Sequence, residues 1–526
     1  VPTCLPLSDN QLNSKEKESF LQAVQKFPQQ ASLLQRRLEA HANSCQTGTN
    51  NNNNNNKNNN DNDNDNNDSW LQHWWNTDGY LKVRDPSMIN VNYFFHFSPR
   101  QQQQQQRQQQ DGMVDRAADM LLASAIYRNQ IAHQTLSPTL LGRKKTPLCS
   151  VAYKYMFHAC RIPRLDMDSY RLYNPFQHSH VVISCRGQFY SMPLFHSPPN
   201  DNNHDDDDAA HIDDNSTKTP TSTPTTTILP KSKLKQMLKH ILHNAQNNNN
   251  NNNNNNMELG WFTAHNRDDW AKARSELLRV GGDEMNQALQ TMESATLLLC
   301  LDDTECPTSR QDCGNIFWTG NVSSTPNRWF DKSVQLFVTA NGQAGLMGEH
   351  SMMDGMPMIG LADFITAYQH NDDDDTKLLE TTGTTTTSST DNHDLYLKQV
   401  TNIFEPVMDK LTSTHKDNNV PQMLQRAKQD TIDLITDHDL HVCNFTGYGA
   451  TDIKKMGYSP DAYVQIAIQL ATYRLWDGHS AATYEATQTR SFKHGRTETT
   501  RTVSPDSSSF CQLMSSSASS SMEEKR

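Results

Sequence analysis

The chain has 526 residues, enough for two or more domains, and a formal net charge of −12 at pH 7. Much of the negative charge sits in aspartate runs at 205–208 and 372–375, so the balance argues against a nucleic-acid binder and says little about a folded core. No apolar run approaches the length of a membrane span, and the 10 cysteines are scattered with no C-x-x-C pair, which argues against zinc and suits a reducing compartment. Hydrophobic residues make up only 35%, because polar low-complexity tracts dilute them. The first residue is Val1 and the last four are Glu-Glu-Lys-Arg, so the sequence reads as a fragment cut at both ends.

The opening 44 residues have helical periodicity through Phe20, Val24, Phe27, Leu33, Leu34 and Leu38. An asparagine tract follows, the first of five polar insertions expected to be disordered, near 46–68, 101–111, 200–227, 246–256 and 371–392. Loop-closure entropy grows slowly with length, so a fold tolerates such insertions at its surface. Aromatic-rich Trp70–Leu81 reads as a core helix without chemistry. His178–Ile183 and Gly187–Tyr190 read as two strands joined by a turn, with His178 and His180 structural because no third metal ligand is evident. The basic segment Lys231–Leu242 reads as a short helix with a solvated charged face. Asn266 reads as a helix N-cap followed by two favourable acids, and Leu297–Asp303 as a buried strand ending in acids.

Val334–Val338, the turn pair Asn341-Gly342 and Ala344–Met347 predict a hairpin, because both turn residues tolerate positive φ. It delivers His350 at its end, and Asp354, Gly355 and Pro357 then start a helix to about Tyr368. A histidine fixed at the end of a rigid hairpin, with a carboxylate four residues on, suits proton transfer; an ordinary surface histidine has the same local spacing. Helices are expected over 395–411 and 421–434. Ser459-Pro460 starts a further helix to about Trp476, apolar nearly all round and therefore expected to be buried. Lysines just upstream of it could hold a phosphate or belong to a solvated loop.

Several of these segments carry recognisable motifs in one order. Trp70–Leu81, Pro147-Leu148-Cys149 through Arg161-Ile162-Pro163 with Asp166, Leu259–Ala271, Asn327–Lys332, Glu349–Gly355, Phe445–Lys455, Thr483–Glu485 and Gly495–Arg501 together resemble the carnitine/choline acyltransferase family. The resemblance implies an α/β protein with a two-domain, coenzyme-A-dependent, chloramphenicol-acetyltransferase-like fold. It divides the chain into a histidine-bearing domain over 1–392 and a partial second domain over 393–526. It implies His350 as general base, with Asp354 paired to Arg496 in support. Lys454, Lys455 and Asp461 become candidates for coenzyme A, and Tyr484, Thr497 and Thr499 for carnitine. Ala450 departs from the lysine that usually follows the glycine at the coenzyme A site.

The activity implied is reversible acetyl transfer between acyl-CoA and carnitine, with coenzyme A as substrate and no permanently bound cofactor or metal. Medium-chain carnitine acyl transfer, choline acetylation and a catalytically silent scaffold are the alternatives. A monomer in mitochondria or peroxisomes, without a nucleic-acid partner or a visible membrane span, is the further expectation.

Overall fold

The computed structural model describes residues 14–46, 70–99, 109–196, 227–250, 257–368, 396–415 and 417–516. They group into two compact units, 75–442 and, separately, 1–74 with 443–526. The expected domain boundary at 392 lies outside the described residues, as do most of the polar insertions.

The larger unit is built on a mixed seven-stranded sheet. In chain order the strands of that sheet, with one of two separate ribbons, are β1 (Tyr93–His96), β2 (Ala159–Ile162), β3 (Ser169–Leu172), β4 (His180–Cys185), β5 (Gln188–Pro193), β6 (Leu298–Asp302), β7 (Val334–Thr339), β8 (Ala344–Gly348) and β9 (Thr401–Asn402). The sheet order is β1-β8-β7-β6-β4-β5-β9, and β2 forms a separate ribbon with β3, bridged to Lys332 through Cys160. The central pairs β4–β6 and β6–β7 are parallel; all others are antiparallel. Parallel strands need both faces covered, and here they have it. Ile183, Leu299, Leu301, Leu336 and Val338 pack in one cluster with α1 (Gln109–Ala132), α2 (Lys231–Asn250) and α4 (Gly355–Ala367). Val182, Leu298, Cys300 and Phe337 pack in the other with α3 (Arg267–Ser294), α5 (Glu405–Thr412) and α6 (Val420–Thr436). The strict alternation follows from the period-2 geometry of a strand.

The turn between β4 and β5 has Arg186 and Gly187 at positive φ, matching the expected pair of strands. Asn266 caps α3 as expected, accepting from the Asp268 and Asp269 amides. The β7–β8 hairpin forms in the expected place by a different turn. Its loop is Ala340-Asn341-Gly342, closed by the Thr339 amide donating to the Gln343 carbonyl, and only Gly342 has positive φ (78°). This is the three-residue hairpin with glycine in the left-handed position. Asn341 instead donates its side-chain amide to the Pro307 carbonyl.

Four expectations need correction. Trp70–Leu81 is not one core helix: a short helix over Trp70–Trp74 gives way to a wide π-type turn over Trp75–Leu81 in which Leu81 is buried and most side chains are half-exposed. The α2 charged face is not wholly solvated, because Lys231 pairs with Asp119 at 2.6 Å and Lys235 with Asp115 at 3.0 Å, clipping α2 to α1, while Lys239 stays exposed. No single helix covers 395–411: Thr401 and Asn402 pair with Ser191 and Tyr190 at the sheet edge, and the helix begins only at Glu405. Sheet pairing has overridden local propensity there.

The fourth concerns the smaller unit, which contains α7 (Ala450–Lys455), α8 (Pro460–Leu475), the ribbon of β10 (Glu485–Gln488) and β11 (Thr497–Thr500), and α9 (Pro505–Ser515). Ser459 caps α8 as expected, but its apolar residues are not buried: Val464 is 49%, Ile468 52% and Leu475 77% exposed. Its chief neighbours in the unit are α9 and α7, which cover only part of its circumference.

One half-buried group should make the larger unit acid-sensitive. His180 at the start of β4 directs Nε2 to the Thr291 carbonyl at 2.8 Å, and burial lowers its pKa to about 4. Its pKa is depressed on folding, so its stabilising contribution is complete above about 6.5 and is lost as pH falls to about 4. At 1.36 kcal/mol per unit that is about 3 kcal/mol. His180→Gln should therefore flatten the fall in urea-unfolding stability between pH 6.5 and 4 relative to wild type. Parallel curves for the two proteins would refute this account.

Candidate active site

His350 lies just beyond β8, and Asp354 occupies the N-cap position of α4. The Asp354 carboxylate makes no capping bond; it faces His350 Nδ1 at 3.6 Å, an ion-pair distance longer than a hydrogen bond. A carboxylate on that side favours a proton on Nδ1, which leaves the Nε2 lone pair for chemistry. The His350 side chain retains 27% exposure, so a reactant can reach it.

Two aromatic rings bound the imidazole. Tyr80, from the π-type turn, stacks on it with centroids 4.9 Å apart and planes 26° apart. Tyr93, from β1, meets it edge-on at 4.7 Å and 77°. Neither contact has a local sign in the sequence, since both arise from pairings across the fold. The Trp70–Leu81 segment, read as devoid of chemistry, thus supplies a ring to the histidine.

Behind the histidine runs a buried charge network. Glu349, fully buried, accepts from the Ser351 hydroxyl at 2.6 Å and lies 3.5 Å from Arg161. Burial pushes its carboxyl above the usual range, only partly offset by Arg161. Arg161 donates to Asp168 at 2.6 Å, to the Ser351 hydroxyl at 3.1 Å and to the Tyr80 carbonyl at 3.1 Å. Asp168 also accepts from Arg267 at 2.7 Å; Arg267 reaches Asp331 at 2.6 Å, and Trp270 donates to Asp331 at 2.7 Å. Burial alone would raise Asp168, but Arg267 and Arg161 outweigh it and hold it below the usual carboxylate range. The buried aspartate of the Arg161-Ile162-Pro163 motif is therefore Asp168; Asp166 is exposed, with φ 66°.

The other sequence candidates belong to the smaller unit. Tyr484 directly precedes β10, and Thr497 and Thr499 lie on β11, with Ala486 opposite Thr499 and Gln488 opposite Thr497. Cross-strand partners share a face, so the alternation groups Tyr484, Thr497 and Thr499 on one side of the ribbon. Arg496, one residue before β11, is buried. Lys454 and Lys455 close α7, both exposed, with Lys455 3.3 Å from Asp452. Asp461 lies in the first turn of α8; the Glu485 carboxyl is raised by burial and by Asp461 beside it. Among the described residues no group of three His, Cys, Asp or Glu could hold a metal ion, and no helix is long and apolar enough to cross a membrane.

The family model described as choline/carnitine o-acyltransferase matches residues 3–526. This chain belongs to that family. It is 29% identical over 470 residues to the carnitine O-acetyltransferase of Columba livia, covering 87% of this chain and 63% of that protein. Other relatives are the muscle isoform of carnitine O-palmitoyltransferase 1 of Rattus norvegicus (28% over 463 residues, 85% of this chain and 50% of the relative) and the peroxisomal carnitine O-octanoyltransferase of the same organism (26% over 469 residues, 87% and 66%). The chain thus spans less than two thirds of the length of these relatives. The α/β architecture around a large mixed sheet fits the choline/carnitine acyltransferase family.

Proposed function

We propose that this family member transfers an acetyl or other short acyl group reversibly between acyl-CoA and carnitine, with His350 as general base. The observation that carries the reading is the His350 imidazole, accessible, bounded by two aromatic rings and facing a carboxylate on Nδ1. A thioester is a good acyl donor, but an alcohol is a poor nucleophile near neutral pH. His350 Nε2 takes the hydroxyl proton as the oxygen attacks the carbonyl carbon. The C–O bond forms, the C–S bond breaks, and the imidazolium returns the proton to the departing thiolate. No acyl-enzyme is required.

In this reading Arg496 keeps the supporting role that the resemblance implies for it. Lys454 and Lys455 neutralise coenzyme A phosphates, with Asp461 at the same end of α8, and Tyr484, Thr497 and Thr499 give hydroxyls to the carnitine carboxylate. The grouping of those three on one ribbon face supports a shared ligand. The histidine and the carnitine elements then belong to the two domains of the resemblance, 1–392 and 393–526. The name of the peroxisomal relative supports that compartment, and a monomer is the simplest assembly.

The test is thiol release from acetyl-CoA by the natural full-length chain, with carnitine or choline as acceptor. Carnitine-dependent release is expected. Release with choline alone would overturn the assignment of Tyr484, Thr497 and Thr499. Release only with octanoyl- or palmitoyl-CoA would overturn the acetyl preference, and none with any donor would favour a catalytically silent scaffold.

A further inference from the structure

We propose that Tyr93 is a positioning residue for the His350 imidazole, and that position 348 is glycine because this tyrosine occupies the space a side chain would need. The inference deepens the general-base reading above and rests on it for its kinetic consequence.

Tyr93 and Gly348 face each other in the β1–β8 register. A Cβ built on Gly348 would lie 2.8 Å from Tyr93 Cζ, 2.9 Å from its Oη and 3.0 Å from Cε2. With glycine there, the ring lies across β8 and reaches the loop beyond. Its hydroxyl then points at two loop carbonyls, Met353 at 3.2 Å and Asp354 at 3.1 Å. Its ring edge meets the His350 imidazole at 4.7 Å.

One side chain therefore does two things to the same group. It restricts the imidazole by contact, opposite in kind to the stacked face of Tyr80. It also ties down the backbone of Asp354, the residue whose carboxylate faces Nδ1. Two carbonyls face the single hydroxyl proton, so Tyr93 acts on orientation and takes no part in proton transfer. Catalytic geometry is sensitive to small misplacements, so loosening this tie should lower turnover and leave substrate affinity alone.

Tyr93→Phe keeps the ring and removes the tie; Tyr93→Leu removes both. In full-length protein labelled with ¹⁵N-histidine, the His350 ring resonances are assigned by their loss in His350→Gln. Wild type should show the tautomer protonated on Nδ1. Tyr93→Phe should move those nitrogen shifts toward a tautomeric average, with kcat down about tenfold and KM unchanged. Tyr93→Leu should move both further in the same direction. Unaltered His350 shifts in Tyr93→Phe would overturn the proposal, whether or not the leucine variant folds. A shift change in a chain whose wild type transfers no acyl group would uphold the positioning and refute the reaction.

Discussion

Replacing His350 with alanine should lower kcat for acyl transfer by about a thousandfold, in the middle of the range for removing a positioned general base. KM for either substrate should change little, because in the proposed reaction the imidazole takes the hydroxyl proton only as the transition state forms. Stability should be nearly unaffected. The side chain keeps 27% exposure, and no core cluster depends on it. Steady-state kinetics beside thermal melting separates these effects. Turnover within a few fold of wild type would remove His350 from the mechanism, whatever the family.

The second large effect concerns stability. Arg161→Met should destabilise the larger unit by about 3–5 kcal/mol, the cost of breaking a buried charge pair from one side. The substitution conserves bulk, so packing loss is small. It leaves Glu349 without its cationic neighbour, and Asp168 with one buried arginine, Arg267, instead of two. The same change removes a donor from the Ser351 hydroxyl and the Tyr80 carbonyl, so turnover should fall with stability. A control is Lys428→Ala, whose pair with Glu258 is 48% and 37% exposed and should contribute under about 1 kcal/mol. Urea unfolding of both variants checks the contrast. A loss below about 1 kcal/mol for Arg161→Met would show that water or rearrangement compensates the carboxylates.

What can be read from the amino-acid sequence is local. The β7–β8 hairpin, the histidine at its end and the start of α4 are written in adjacent residues, so the candidate base is legible from residue order alone. So are the Asn266 and Ser459 caps, whose chemistry reaches only two or three residues along the chain. Tyr80 and Tyr93 are not legible in this way, because they reach His350 through strand register and a turn far from it in sequence. The charge network is hidden for another reason. Arg161, Asp168, Arg267 and Asp331 are ordinary surface residue types, and only the fold reveals that all four are buried. Apolar content misleads in the opposite direction at α8, because a hydrophobic helix is buried only where neighbours exist to cover it. At 395–411 helical periodicity loses to two residues of edge pairing.

The pairing of β1 with β8 also bears on the order of assembly. Tyr93 and Met353, joined by a hydrogen bond, are 260 residues apart. Contacts between such distant segments carry a large closure entropy and form slowly. The histidine loop cannot acquire its edge-on tyrosine until β1 has paired with β8. During synthesis, β1 must wait until Ala344–Gly348 has emerged before its partner exists. Reactivity of the His350 ring would therefore report late consolidation of the sheet, and a refolding chain should regain helix content well before it regains turnover.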